Sequence, residues 1–171
     1  VKCIDDKIYT GSYMEFGYWE RQKNGQLKYF SLSNTIKNKL VDDEQFWEIL
    51  NYDNWILFQS LQKIYAYDTK TKQFSIIAPK NFISKAFKTS NGIFYQTNEG
   101  LFEIEKGKSK LFLDSPIVKN NKIINIIDSN NGLLFVTQMQ GIYSYKNGEL
   151  NKFITNVDDE LKQSSIYSSE V

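Results

Sequence analysis

The chain has no histidine and a single cysteine, Cys3, among its 171 residues. The first absence removes the side chain most used as a general base and as a metal ligand. With one cysteine there is no intrachain disulfide, no CxxC redox pair and no Cys-His nucleophile. Cys3, close to an expected inner strand, reads as a small buried apolar residue. Proline occurs twice, at Pro79 and Pro116, both where turns are expected. No apolar run approaches the roughly 18 residues of a membrane span, and no signal peptide is visible. The chain opens on Val1 instead of Met, and is expected to be a piece of something longer. Its missing leader therefore says nothing of where the parent protein resides. Neither sign of charge is in excess: 21 basic and 20 acidic residues leave +1, with no basic face for nucleic acid. There is no phosphate-cradling glycine loop, and spacing singles out no pair of carboxylates for glycoside chemistry. The expectation is a chain that is not an enzyme, holds no cofactor or metal, and makes no contact with nucleic acid.

What the chain does have is aromatic residues, 15% of the total, chiefly Tyr and Phe. That composition favours strands. Its clearest order is a repetition. Residues Ile93–Phe112 read IFYQTNEGLFEIEKGKSKLF, and Leu134–Phe153 read LFVTQMQGIYSYKNGELNKF. Each is an apolar-rich run, a polar turn with a glycine, an alternating run, a Lys/Gly turn and a short run ending in Phe. Aligned on the residue after the turn glycine, Leu101 and Ile142 stand 41 apart, and Ile64 lies 37 before Leu101. Periods of roughly 40 residues with several short strands each are the signature of propeller blades. A β-sandwich of short strands has no reason to repeat its turn chemistry at such intervals.

The expected fold is therefore all-β: a partial β-propeller of about four blades, each a four-stranded antiparallel meander. The blades fall at 1–39, 44–79, 83–116 and 121–157, with the start of a fifth at 162–171, where Ser164–Ser168 reads as an opening strand. Asn24-Gly25 signals a type I′ hairpin. Tyr13–Gly17 is an unusually long strand connector, and Ser33–Asp43 is a polar loop with at most one helical turn. Gly100 and Gly141 are expected at positive φ, where any Cβ costs about 1 kcal/mol or more. Packing between blades is assigned to Ile93, Tyr95, Phe102, Ile104, Phe112, Leu134, Val136, Tyr143, Tyr145 and Phe153, and also to Trp47 and Trp55.

Two stretches resemble a known repeat. Ser90-Asn91-Gly92-Ile93-Phe94-Tyr95-Gln96-Thr97-Asn98-Glu99-Gly100-Leu101 is one. Asp128-Ser129-Asn130-Asn131-Gly132, followed by Phe135-Val136-Thr137-Gln138-Met139-Gln140-Gly141-Ile142, is the other. Both resemble the regulator-propeller repeat of extracytoplasmic sensors in Bacteroidetes. The family's usual Trp is replaced by Phe94 and Phe135, and its Thr by Gln138 in the second copy. A further phrase, Gly11-Ser12-Tyr13-Met14-Glu15-Phe16-Gly17-Tyr18-Trp19 with Asn24-Gly25-Gln26-Leu27-Lys28-Tyr29-Phe30-Ser31-Leu32-Ser33, is similar to regulators that join such a propeller to a triple-tyrosine domain. In those regulators a membrane segment and a cytoplasmic helix-turn-helix or histidine kinase follow. The resemblance implies a periplasmic, ligand-sensing fragment of a membrane-anchored regulator, plausible ligands being oligosaccharides. Its partners would be the remaining blades and the triple-tyrosine domain. Without those blades the fragment is expected to self-associate. The alternative is a self-contained four-bladed binding or scaffolding module.

Two constellations stand out. Tyr13, Glu15, Phe16, Tyr18 and Trp19 lie on or beside the long connector. Aromatics there could stack on a sugar ring while Glu15 takes its hydroxyls; alternatively Phe16 and Trp19 pin the connector onto the next blade, the reading the residues favour. Asp42-Asp43-Glu44 and Asp158-Asp159-Glu160 are acidic enough for Ca²⁺ but lack the alternate-residue spacing of a calcium loop. They read as solvated loop charge. Asp128 is expected to bond backbone at its strand-to-turn junction.

Overall fold

The computed structural model describes residues 1–169. Four sheets follow one another along the chain, each of four antiparallel strands paired in sequence order. The first holds β1 (Lys2–Ile4), β2 (Lys7–Gly11), β3 (Phe16–Arg21) and β4 (Leu27–Ser31). The second holds β5 (Glu48–Tyr52), β6 (Trp55–Gln59), β7 (Ile64–Asp68) and β8 (Phe74–Ile77). In the third are β9 (Lys85–Lys88), β10 (Ile93–Thr97), β11 (Gly100–Glu105) and β12 (Lys108–Leu113). The fourth comprises β13 (Ile123–Ser129), β14 (Gly132–Thr137), β15 (Ile142–Lys146) and β16 (Glu149–Lys152). Short helices, α1 (Pro116–Asn120) and α2 (Asp158–Gln163), and a kinked 3₁₀ segment at Ser33–Lys39 complete the elements. Among the described residues no helix is long and apolar enough to cross a membrane.

The chain divides into two compact units: Val1–Ile83 with the hairpin tip Lys106–Lys108, and Ser84–Glu105 with Ser109–Val171. In the first unit a largely aromatic core gathers Tyr9, Phe16, Ile56, Phe58 and Tyr65 from the first two sheets and Phe46 from the link between them. Phe16 is its centre, stacked on Phe58 at 4.3 Å and edge-on to Phe46 at 4.7 Å. In the second unit Phe87, Phe94, Leu101, Ile126, Leu133 and Phe135 form the core, with Phe112, Tyr143, Tyr145 and Leu150 packed against it. Period-two alternation puts Phe94 and Leu101 on one face of the third sheet, and Tyr95, stacked on Phe102 at 5.2 Å, on the other. Of the packing set read from the sequence, Ile93, Tyr95, Ile104 and Val136 are buried, while Phe94, Leu133 and Phe135 supply the face turned to this core cluster; Phe153 needs correction, because it is exposed.

A buried amide ties β10 to the start of the fourth sheet. Gln96 donates from Nε2 to the carbonyls of Val118 (2.6 Å) and Asn121 (2.7 Å), and accepts at Oε1 from the Ile123 N–H (2.9 Å) and Ser84 Oγ (3.0 Å). All four polar valences of the side chain are satisfied, which a buried amide requires.

The second strand of every sheet runs into a hydroxyl residue that closes the next turn. Ser12 N–H donates to the Glu15 carbonyl, Ser60 N–H to Lys63 and Thr137 N–H to Gly141, while Thr97 Oγ1 accepts from the Glu99 N–H. Thr137 and Thr97 thus hold the same place. The fourth-sheet counterpart of Thr97 is therefore Thr137, not Gln138, and the hairpin after it is one residue longer.

Other expectations change locally. Asn24-Gly25 is not a type I′ turn, since Gly25 has φ +84° and Asn24 is not at positive φ. The N–H of Gly25 donates to the Gln22 carbonyl and that of Gln22 to the Gln26 carbonyl, the pattern of a type I turn followed by a glycine bulge. Paired positive φ occurs instead at Lys106-Gly107 and Asn147-Gly148. Pro116 opens α1, where its missing N–H costs nothing, and Ser115 Oγ caps the helix. Trp47 is 64% exposed and packs no core, because β5 begins after it at Glu48. Cys3, on the outer strand β1, is exposed, not buried. Ser164–Ser168 joins no ladder. It follows α2 as irregular chain, with the Ile166 N–H donating to the Gln138 carbonyl, and of the expected fifth unit Glu170 and Val171 lie outside the described residues.

Candidate functional site

Strand β3 begins at Phe16, so the connector is shorter than its sequence suggests, and three of the five candidate residues sit on the strand. The alternation of that strand then separates them. Phe16 is fully buried in the core. Tyr18 shares its face and is stacked on Phe30 at 5.2 Å and tilted against Tyr9 at 5.6 Å. Trp19 turns to the opposite face and meets Tyr29 at 5.0 Å. Glu15 joins that second group by accepting from the Tyr29 hydroxyl at 2.7 Å. Burial, then the bond to Glu15, hold the Tyr29 hydroxyl well above the ordinary tyrosine range. Tyr13 stands apart and exposed at a loop tip, where its hydroxyl donates to Asp43 Oδ1 at 2.5 Å. That bond raises its pKa.

The surroundings of Tyr18 are concave. A cavity of about 320 Å³ within the first unit is lined by Tyr9, Tyr18 and Tyr67, with Asp5, Asp53 and Lys72 among its polar groups. The volume lies at the small end of ligand pockets. Asp5 and Asp53 stand at hairpin tips with positive φ, which Asp tolerates better than most residues. Lys7, also in the lining, lies 4.2 Å over the Tyr18 ring and pairs with Glu20 at 3.4 Å. Among the described residues, no hydrogen bond engages the hydroxyls of Tyr9, Tyr18 or Tyr67. Burial, followed by the neighbouring Tyr67 and Tyr18 hydroxyls, pushes Tyr9 up to about 12. Tyr67 is raised too, by burial first and then by the neighbouring Tyr18 and Asp68. Tyr9 and Tyr67 are neutral donors at physiological pH. Four carboxylates (Asp5, Asp6, Glu20, Asp53) against two ammonium groups (Lys7, Lys72) make the lining net acidic.

Sequence reasoning found Tyr18 but missed Tyr9 and Tyr67, which come from β2 and β7. The available signal was the alternation of each strand, which puts Tyr9 opposite Tyr18 in the β2–β3 register.

The acidic clusters part ways. Asp42 and Asp43 are exposed, but Glu44 is buried. Its Oε1 accepts from Ser60 Oγ (2.5 Å), and its Oε2 from the Tyr65 hydroxyl (2.6 Å) and the Val41 N–H (3.0 Å). It is a fastening of the link between β4 and β5 onto the second sheet, not solvated charge. Asp158 opens α2 and accepts from Thr155 Oγ1 at 2.7 Å, and that bond is the main cause of its lowered pKa. Among the described residues no group of three or more His, Cys, Asp or Glu could hold a metal ion. Asp128 does bond backbone, though in the neighbouring sheet: Oδ2 accepts from the Ser90 N–H and Oδ1 from Ser90 Oγ, each at 2.7 Å.

No family model matches the chain, and no curated protein matches it. Solved structures do. The WD40 domain of Neurospora crassa Pan2 superposes with a TM-score of 0.54 at 13% identity, over 87% of this chain and 46% of its own. The N-terminal domain of Nup159 gives 0.57 at 12%, over 92% and 43%. BBS1N, solved in complex with ARL6DN, gives 0.52 at 9%, over 85% and 47%. The chain thus spans less than half the length of each. At such identities the likeness concerns fold alone, and it agrees with the four antiparallel meanders: the chain has the fold of a run of β-propeller blades.

Proposed function

We propose that the chain is a ligand-sensing propeller segment, and that the cavity of Tyr9, Tyr18 and Tyr67 takes a carbohydrate. The supporting observation is the lining itself: three phenol hydroxyls that no hydrogen bond engages among the described residues, in a concavity that also offers carboxylates and Thr69. Aromatic rings suit the C–H face of a sugar, and neutral donors beside carboxylate acceptors suit its hydroxyls. The net acidic lining favours neutral or amine-bearing sugars over uronic acids, because a buried like charge is costly. Binding would act by selecting one arrangement of a receptor, and only to the extent that the ligand's affinity differs between arrangements.

The setting comes from the resemblance to regulator-propeller sensors: a periplasmic fragment of a membrane-anchored transcription regulator or two-component system, with further blades and a triple-tyrosine domain. Calorimetric titration with neutral, amino and acidic oligosaccharides tests the ligand. Binding that Tyr18→Ala abolishes and Tyr67→Phe weakens would support it, whereas silence across the panel, or preference for uronic acids, would remove the carbohydrate reading. A reporter fusion to the parent gene tests the compartment.

A second reading is a binding or scaffolding module without signalling output. One structural neighbour, BBS1N, was solved with a protein partner, which favours protein contact as a use of this fold. A parent gene lacking a membrane span and an output domain would select this reading.

A further inference from the structure

The second unit has a concavity of its own, of about 490 Å³, whose chemistry differs from the first. Its floor is apolar: Phe94 and Leu133 are buried there, and Phe112 and Tyr145 lie half-exposed, 4.9 Å apart. Its rim is rich in amides, with Asn91, Asn130, Asn131 and Asn147. The charged groups of the lining are one carboxylate, Glu103, and one ammonium, Lys146, which balance.

Two features fix the mouth. The Asp128 carboxylate grips Ser90 through both oxygens, so the turn carrying Asn91 is tied to the strand end that leads to Asn130 and Asn131. Gly132 lies so close to β15 that a Cβ would meet the Tyr145 carbonyl at 2.2 Å. Asn91, Asn130 and Asn131 are therefore presented from braced turns, the arrangement that lowers the ordering cost of binding.

We infer that this cavity is a second binding site, for an uncharged pyranose sugar. An amide side chain both donates and accepts, as a sugar hydroxyl does, and Glu103 adds a strong acceptor. The half-exposed Phe112 and Tyr145 rings, inclined at 53° to each other, offer an apolar surface to the C–H groups of a ring. A lining without net charge gives a charged ligand no ion-pair compensation for lost hydration. The volume exceeds that of the first cavity and accommodates a disaccharide. The inference shares its ligand class with the proposed function but rests on different residues.

The test is side-chain amide NMR of the chain with maltose, cellobiose and glucuronic acid as probes. Neutral disaccharides are expected to shift the Asn130, Asn131 and Asn147 amide signals in the native chain and equally in Tyr18→Ala. Both Asn130→Ala and Asn131→Ala, at exposed positions, are expected to weaken binding at least tenfold while leaving the spectrum folded. Shifts confined to the surroundings of Tyr18 would overturn this site and leave the first standing. Undiminished binding in the two asparagine variants, a response to glucuronic acid alone, or no response to any probe would overturn it too.

Discussion

The Tyr65 hydroxyl donates to Oε2 of Glu44 at 2.6 Å, although the carboxylate belongs to the connector between sheets and the phenol to the middle of β7. Glu44 is the acceptor for three donors at once. Glu44→Ala strands the Val41 N–H and leaves the Ser60 and Tyr65 hydroxyls only their longer bonds to the Lys63 and Lys39 carbonyls, each at 3.2 Å, and should lower unfolding free energy by about 2 kcal/mol. Glu44→Gln keeps one acceptor and should cost roughly half as much. Urea denaturation of both variants checks this; a loss below ~0.5 kcal/mol for the alanine variant, typical of a surface change, would mean that the network carries no weight.

Tyrosine ionisation gives the fold an upper pH limit. The Tyr9 hydroxyl is raised to about 12 from an ordinary 10.0, and Tyr65 and Tyr67 are raised as well, burial being the first cause in each. A folded-state pKa above the unfolded one means that the native state holds its proton more tightly. The associated stability is complete below pH 10 and is lost as pH climbs through 12. The denaturation midpoint should fall steeply across that window, and phenolate absorbance at 295 nm should show a late-titrating set. A midpoint flat up to pH 12 would contradict the burial of these hydroxyls.

Glycine substitutions should separate by what a new methyl meets. At Gly132 (φ +133°) a Cβ would sit 2.2 Å from a backbone carbonyl, whereas at Gly25 (φ +84°) nothing lies within 4 Å. Gly25→Ala should cost about 1 kcal/mol from backbone strain alone. Gly132→Ala must move β15 as well and should cost clearly more, with Gly100→Ala between them because its Cβ would meet the Leu113 carbonyl at 2.8 Å. Thermal midpoints of the three give the order, and equal losses would refute the geometric account.

Asp128→Asn keeps the shape of the residue that holds Ser90 but removes the charge from both bonds. The expected loss is about 1 kcal/mol, since the site is exposed. Faster hydrogen exchange at the Ser90 amide than in the native chain would be the specific sign.

Exposed Trp47, Phe82, Ile154 and Tyr167 put large apolar side chains on the surface. Light scattering of the isolated chain should show dimers or larger species. A monodisperse monomer would favour a self-contained module.

The number of sheets, their meander order and several strand limits, such as Ile64–Asp68 and Ile142–Lys146, could be read directly because turn chemistry repeats along the chain. Which of two adjacent apolar residues enters the core could not. Phe94 and Tyr95 are both buried, and only the pairing register sends one to each face. Alignment on glycine also concealed the equivalence of Thr97 and Thr137, because the two hairpins differ by one residue. For the site, composition drew attention to Phe16, Tyr18 and Trp19 as one cluster. Strand geometry scatters them, since neighbours along a strand point opposite ways. Of the first cavity's other tyrosines, Tyr9 lies across the β2–β3 hairpin and is within reach of strand alternation, whereas Tyr67 comes from β7 of the second sheet, a long-range packing that local sequence does not encode.

The Gln96 amide has a consequence for how far this chain can vary in length. Its four bonds reach Ser84, Val118, Asn121 and Ile123 together, so adding or deleting a residue in the link through Pro116–Asn120 would break most of the set at one stroke. The exposed two-residue tip at Asn147-Gly148 carries no such constraint. Natural length variants, and engineered insertions, should accumulate at that tip and avoid the stretch from Ser115 to Ile123.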